Sequence, residues 1–394
     1  APILLLLRTH RSGVWRLARL NQPTMADRRV GAAELCSAFA LGGAAALLGA
    51  RCSCGFAGDR AVKAPGRSGA VLSLGISVLD YSVYLDAFPA PDSKQVAQRQ
   101  VAGGGGNAAN TAVAVSRLGV PAVLLSKVGE DPAGATLLGQ LRDEGVECAV
   151  QVSGGAEGGS TVTCFVLVAG DTRTIVSMPM SQRVADLTTE WVEEALTGGP
   201  APCLLERTRL LQLDGRHPVA GAHAAALCRA RGIGVLVEAE LRSAAAKAQG
   251  KPEPTLAALL EQADFLVTSA EMPTACTGIA ELVPALREMV RRHAPHARWA
   301  VVTLGEAGCV AIERSDDSSE QGWRELRVPA CPLEPGEVVD TTGAGDAFIG
   351  GLAAATVRGL GLEEALREMV GRQAPHARWA VVTLGEAGCV AIER

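Results

Sequence analysis

From about residue 70 onward, short runs of β-branched and leucine residues alternate with amphipathic helical windows, and no other feature narrows the fold as much. A strand followed by a helix, repeated along a chain, buries its apolar faces best when the strands run parallel and helices cover both sides of the sheet. Buried strands are predicted at 70–76, 122–127, 210–213, 233–238, 265–268 and 299–304, and helices at 107–118, 133–144, 219–230 and 255–262. The pattern predicts an α/β protein with a doubly wound, mostly parallel sheet. Two stretches break the rhythm: 82–101 and 160–178 alternate polar with apolar residues as exposed antiparallel strands do, and are expected to form a small β-sheet flap.

Of 394 residues, 48% are apolar and 20% charged, with 37 basic against 42 acidic side chains and a net charge of −5. That is ample material for a core, and it excludes both a disordered chain and a strongly basic nucleic-acid scaffold. With aromatics at 3%, platforms for stacking bases are not expected either. The eleven cysteines form no Cys-x-x-Cys pair, and Cys52 and Cys54 are the closest doublet, so no zinc or redox site is expected. Cys164, Cys228, Cys276 and Cys309 sit in apolar runs, where a thiol acts as a small buried hydrophobe, and this usage fits a reducing compartment.

Residues 1–69 are set apart as a basic N-terminal extension rich in Ala, Arg, Gly and Leu. They read as an organellar transit peptide, which would place the protein in a chloroplast or mitochondrion. A secretory signal and a plain tail are the other readings, and without a targeting signal the expected location is the cytoplasm. The apolar run 35–50 contains three glycines and falls short of the ~20 residues of a membrane span. No membrane partner is expected.

Ala285–Arg314 reappears as Ala365–Arg394, at an offset of 80 with two differences, Arg291 against Gly371 and His293 against Gln373. Solenoid repeats diverge and recur at least three times, so this near-perfect pair reads as a duplication rather than a repeat architecture. The first copy fits the strand–helix rhythm. In the second, the strand-like 379–384 is expected to find no vacant slot in the sheet, leaving 367–394, the copy of 287–314, poorly packed.

Two motifs carry chemistry. In Asp340-Thr-Thr-Gly343-Ala344-Gly345-Asp346, small residues open a helix whose first N–H groups lack intrahelical partners and lie at the positive end of its dipole. The backbone of Gly343, Ala344 and Gly345 can therefore cradle an oxyanion. Asp346, in the first turn, is placed to accept a proton from an attacking hydroxyl, and a base beside a phosphate hole implies phosphoryl transfer. A helix cap would need only one of these residues. The second motif is Gly103-Gly-Gly-Gly106-Asn107-Ala-Ala-Asn110, where bare backbone admits a polar ligand and two amides three residues apart share one helix face. Such amides suit vicinal hydroxyls. A dinucleotide fingerprint also fits loosely, but it should directly follow the first strand, and some 25 residues intervene.

Together the two motifs resemble the signatures of the PfkB/ribokinase family of carbohydrate kinases. Gly105–Asn110, Val78-Leu-Asp80 and Arg173-Thr-Ile-Val176 look most like its ketohexokinase branch. The resemblance spans about 70–366, and it implies a ribokinase-like three-layer sandwich with a small β-sheet lid, ATP as donor, Mg²⁺ on its phosphates and often K⁺ near the anion hole. By position, Asp80, Gly106, Asn107, Asn110 and, more weakly, Asp92 would bind the sugar together with Asp346. Arg173 and the turn Gly305-Glu306-Ala307-Gly308 would contact ATP, as would Gly343, Ala344 and Gly345. Asp340 would help hold the monovalent cation. The resemblance also implies a homodimer paired through the lids.

The match has departures. Where many members carry Asn-x-x-Glu near Mg²⁺, this chain has Ser269-Ala270-Glu271-Met272, which leaves Glu271, through water, as the metal contact. Glu238 and Glu240, after the strand 233–237, are also candidates for that contact, although charged strand ends are ordinarily solvated. The duplicated segment stands where the family's last helix and adenine-walling loop should be. The expected activity is ATP-dependent phosphorylation of a ketose, pentose or nucleoside hydroxyl. A non-catalytic sugar or nucleotide binder, or a dinucleotide-dependent oxidoreductase, is the alternative.

Overall fold

The computed structural model describes residues 69–370 apart from 155–157, 170–171, 200–201, 316–321 and 331–342, together with 4–8, 15–19, 379–383 and 389–393. In the first of two compact units, residues 1–63, β1 (Leu4–Arg8) and β2 (Trp15–Arg19) pair as an antiparallel hairpin. The rest of the basic extension up to residue 68 lies outside the described residues.

The second unit opens with β3 (Ala70–Leu74), β4 (Val78–Leu85), β5 (Arg99–Gly105), α1 (Asn107–Arg117), β6 (Ala122–Gly129), α2 (Pro132–Asp143) and β7 (Glu147–Ser153). It continues with β8 (Thr163–Ala169), β9 (Thr172–Ser177), α3 (Thr189–Thr197), α4 (Leu204–Arg207), β10 (Thr208–Leu213), α5 (Pro218–Arg229), β11 (Gly234–Ala239), α6 (Ala244–Gln249) and α7 (Pro254–Leu260). Then come β12 (Phe265–Ser269), α8 (Glu271–Thr277), α9 (Leu282–His293), β13 (Trp299–Thr303), β14 (Cys309–Arg314) and β15 (Trp323–Val328). The last elements are α10 (Ala344–Val357), α11 (Leu362–Val370), β16 (Trp379–Thr383) and β17 (Cys389–Glu393).

Nine strands form the central sheet in the order β15-β14-β13-β12-β11-β10-β3-β6-β7. Neighbours from β13 through β7 are parallel, and β14 runs antiparallel to both β13 and β15. The interior strands are apolar on both faces because both faces are covered. Leu72 and Leu74 of β3 pack with Ala224 and Cys228 of α5 and Leu259 of α7. Val71, the residue before Leu72, joins the opposite cluster with Val115 of α1, Leu137 of α2 and Phe348 of α10. The result is the expected three-layer sandwich. Cys228 and Cys309 lie in these two cores, where burial pushes each thiol up to about 12.

The stretches that broke the rhythm form a separate four-stranded sheet, β5-β4-β8-β9. Here β4 is antiparallel to β5 and parallel to β8, and β9 is antiparallel to β8. The ends of the predicted sandwich strands are met to within two residues, whereas β4 begins four residues before the stretch 82–101 and β5 ends four residues after it. The edge strands β7 and β15 were not predicted, because both are half-exposed and alternate charged or polar residues with apolar ones instead of forming an apolar run. β16 pairs with β17 in a two-stranded sheet of its own. Its register repeats that of the first copy, Trp379 opposite Glu393 as Trp299 is opposite Glu313.

Asp131 ties the lid to the sandwich. As the N-cap of α2 it accepts the Gly134 N–H at 2.8 Å, and it also accepts the Thr161 N–H at 2.8 Å and hydroxyl at 2.7 Å, just before β8. Burial alone would raise its carboxyl, but the N–H groups of Gly134 and Thr161 outweigh it and hold the group below the usual range. Asp131→Ala removes the cap and both bonds to Thr161, and is expected to cost about 1–2 kcal/mol of stability, read as a lower urea midpoint. An unchanged midpoint would show that solvent replaces these bonds at no cost.

Candidate active site

The chain crosses the sheet in one direction from β3 to β6 and β7, then returns to the other side of β3 as β10 and proceeds to β11, β12 and β13. Strand order therefore reverses between β3 and β10, and in an open parallel sheet the crevice beyond the carboxyl ends at such a point is where ligands lodge. Asp214, the first residue after β10, occupies it and is 1% exposed. Its Oδ2 accepts the N–H groups of Ile76 at 2.8 Å and Ala108 at 3.2 Å, and its Oδ1 accepts the Arg216 N–H at 2.8 Å. Asp214 thus caps α1 across 106 residues of sequence, a task the N-cap Gly106 cannot perform. Gly106 has φ +94°, and a Cβ there would stand 2.6 Å from the Ile76 carbonyl oxygen, so only glycine brings α1 this close to β3.

With α1 fixed, its first turn presents two amides to two carboxylates. Asn110 Nδ2 donates to Asp346 Oδ2 at 2.7 Å, and Asn107 Nδ2 donates to Glu238 Oε1 at 2.8 Å. The hydroxyl of Thr111 donates to the Asp346 carbonyl at 3.3 Å. Asp346 lies in the first turn of α10, whose N-cap is Gly343. The helical ladder starts with the Ala347 N–H on the Gly343 carbonyl, leaving the N–H groups of Ala344, Gly345 and Asp346 outside it. This helix end can receive an anion beside a carboxylate.

The crevice crowds like charges. Burial pushes Asp346 up to about 6; the Asn110 amide opposes this, Asp214 adds to it, Arg216 opposes it and Glu240 adds to it. This burial is not legible in the sequence, where Asp346 stands only as a first-turn residue placed to accept a proton. Glu238 is driven well above the carboxylate range by burial first, then by Asp346 and Asp214. It is not the solvated strand-end acid expected, because β11 ends inside the crevice and Glu238 Oε2 is shielded with no hydrogen-bond partner among the described residues. Glu240 is exposed and pairs with Arg216 at 3.2 Å. Arg242 donates to the carbonyls of Asp214 and Gly215.

Asp80 sits on β4, where the lid leaves the sandwich, and burial pushes its carboxyl up to about 6. A Cβ at Gly105 on the paired strand would lie 2.1 Å from Asp80 Oδ2, so that glycine holds the space the carboxylate occupies. Asp92 is exposed on a turn between β4 and β5, with φ +63°. Arg173 is exposed on β9, the outer lid strand. Glu271 opens α8 after β12, and Gly305–Ala307 form a single turn after β13, closed by Gly308. These last two share the carboxyl edge with Asp214 and Glu238, nearer the β13 side. Asp340 lies outside the described residues. Asp214, Arg216 and Arg242 were missed, although Leu-Gln-Leu-Asp-Gly-Arg at 211–216 shows a strand running straight into an acid and a turn.

The chain has relatives of known activity. The model of the pfkB family carbohydrate kinases matches residues 69–368. Fructokinase-1 of Oryza sativa subsp. japonica is 29% identical over 300 residues, covering 73% of this chain and 83% of that protein. Ribokinase of Mus musculus is 27% identical over 276 residues, covering 67% of this chain and 75% of that protein. Among solved structures, Arabidopsis thaliana ribokinase complexed with ribose and ATP shares the fold, with a TM-score of 0.60 at 20% identity over 76% of this chain and 90% of that one. The adenosine kinase from Sinorhizobium meliloti gives 0.60 at 22% identity over 78% of this chain and 95% of that one. The doubly wound sheet, the lid and the glycine-opened helix are thus those of a ribokinase-like carbohydrate kinase, and the chain belongs to the pfkB family.

Proposed function

We propose that the protein transfers the γ-phosphoryl group of ATP to a primary hydroxyl of a ketose, with Asp346 as the base. The observation that carries this reading is the Asp346 carboxylate, held by Asn110 at the open N-terminus of α10. The sugar oxygen bonds to the γ-phosphorus as the bond to the β-phosphate oxygen breaks, and the hydroxyl proton passes to Asp346. The N–H groups of Gly343, Ala344, Gly345 and Asp346 receive the charge on the equatorial oxygens as it develops. Asp80, Gly106, Asn107 and Asn110 grip the sugar hydroxyls, with Asp92 as a further lid contact. Arg173 meets the phosphates from the lid, and the Gly305–Gly308 turn makes room for adenosine. The ketohexokinase-like motifs and the fructokinase names among the relatives support a ketose over a pentose or nucleoside.

Among the described residues no three of His, Cys, Asp and Glu gather as a metal cage. The exposed Glu271 carboxylate at the carboxyl edge suits a water-mediated contact to Mg²⁺ carried by the nucleotide, which would neutralise phosphate charge. A K⁺ role for Asp340 is what the resemblance of the 340–346 motif to the family's signature implies. Lid pairing between two chains is supported by the exposed Phe165, Ile175 and Val176 on that sheet.

The test is ADP release from MgATP with K⁺ present, across D-fructose, other ketoses, D-ribose and several nucleosides. D-Fructose is expected to give the highest kcat/KM, and no sugar-dependent release from a protein that binds ATP would sink the reading. Asp346→Asn is expected to lower kcat at least ~10³-fold while sugar affinity stays within severalfold; a variant keeping most of its turnover would remove Asp346 as base. Since Asp346 must be ionised to accept the proton, kcat/KM should hold above pH 6 and fall as pH drops through about 6. A flat profile down to pH 5 would contradict this. Gly105→Ala drives the Asp80 carboxylate from its place and should raise the sugar KM roughly tenfold or more, with the ATP KM unchanged.

A further inference from the structure

Two amide–carboxylate pairs leave the first turn of α1 in parallel. The Asn110–Asp346 pair holds the base. The Asn107–Glu238 pair joins the same turn to the end of β11, yet Glu238 has no place in the chemistry above. An asparagine amide can lie in two orientations that exchange its donor and acceptor, with nearly the same shape. Glu238 Oε1 accepts from Asn107 Nδ2, which selects one of them and turns Asn107 Oδ1 away from the carboxyl.

We propose that Glu238 is a positioning residue, which acts through Asn107 to hold the amide oxygen toward the sugar so that it accepts one substrate hydroxyl proton. This rests on Asn107 being a sugar ligand, as argued above. A carboxyl so close to Asp346 and Asp214 would add a third like charge to the crevice. Burial and those two neighbours favour its protonated form, so it fixes the amide without repelling the base. In that form Oε1 still accepts from Asn107, and the shielded Oε2 carries the proton. Glutamine reproduces this shape and acceptor, whereas leucine keeps the volume and supplies no acceptor.

The test compares Glu238→Leu, Glu238→Gln, Asn107→Ala and the double variant Glu238→Leu/Asn107→Ala, using D-fructose or whichever panel sugar supports turnover, with melting temperature and ATP KM read alongside. Glu238→Leu should raise the sugar KM about tenfold with kcat within threefold and ATP KM unchanged. Glu238→Gln should return the sugar KM to within threefold of the parent, and the double variant should be no worse than Asn107→Ala alone. If Asn107→Ala raises the sugar KM but Glu238→Leu does not, or if the two effects multiply, Glu238 does not act through Asn107 and the proposal fails. If Asn107→Ala leaves the sugar KM unchanged, the sugar-site reading beneath it fails as well. Should the leucine variant not fold, Glu238→Met, equally without an acceptor, takes its place under the same criteria.

Discussion

The site depends on one carboxylate. Asp214 stands where the strand order reverses and gathers backbone N–H groups from three places: Ile76 after β3, Ala108 in the first turn of α1, and Arg216 in its own turn. Such bonds are strong in a shielded crevice and costly to leave unmade. They fix the position of α1 relative to the sheet, and with it every side chain α1 presents. Asn107 and Asn110 can face Glu238 and Asp346 because Asp214 has already set the axis of the turn that carries them. The amides hold the Glu238 and Asp346 carboxylates, while Asp214 holds the helix that carries the amides.

That arrangement stabilises the geometry at an electrostatic cost. Asp214, Glu238, Glu240 and Asp346 crowd one crevice, and the nearby cations are Arg216 and Arg242. Arg242 donates to the carbonyls of Asp214 and Gly215 instead of pairing with a carboxylate, so it braces the turn that holds Asp214. Arg216 is paired with the exposed Glu240 and still bears on Asp346. With four acids against two cations the crevice is two cations short of neutrality, and part of that deficit is met by raised carboxyls rather than by salt bridges. A carboxylate lifted to about 6 is ionised at neutral pH and a stronger proton acceptor than an exposed aspartate, as the role proposed for Asp346 requires.

The sandwich was legible in the sequence because burial on both faces of a parallel sheet leaves continuous apolar runs, as in Ala70–Leu74 and Leu210–Leu213. The lid was legible for the opposite reason, since its half-exposed strands keep a period of two. The edge strands β7 and β15 escaped, because a charged, half-solvated strand has the same pattern as a loop. Within the site, Gly106, Asn107, Asn110 and the 343–346 segment stood out because unusual backbone needs leave glycines side by side. Asp214, Arg216 and Arg242 did not, and Glu238 stood out only as a strand-end acid. Each is an ordinary polar residue at or just after a strand end, and what distinguishes it is a partner more than a hundred residues away, a carboxylate beyond the next strand or a carbonyl in the neighbouring loop. Only the fold brings those partners together.

The groups proposed as the base and as the sugar contacts stand on elements of different rigidity. Asp346 and Asn110 ride on α10 and α1, which approach so closely that a Cβ at Gly350 would meet the Ala114 Cβ at 2.6 Å. Phe348 and Leu352 of α10 are fully buried in the same cluster as Ala112 and Val115 of α1. Asp346 on this packed pair cannot move without opening the core. Asp80, in contrast, belongs to β4 and therefore to the lid, which leaves the sandwich three residues after β3 and presents Phe165, Ile175 and Val176 to solvent. Any motion that admits and encloses a sugar must then be carried by the lid, with Asp131 and Thr161 at its other root. In the proposed reaction, closing it would bring Asp80 toward an Asp346 and an α10 N-terminus that stay still. It would also expel water, the competing phosphoryl acceptor, only once a sugar is present to take its place.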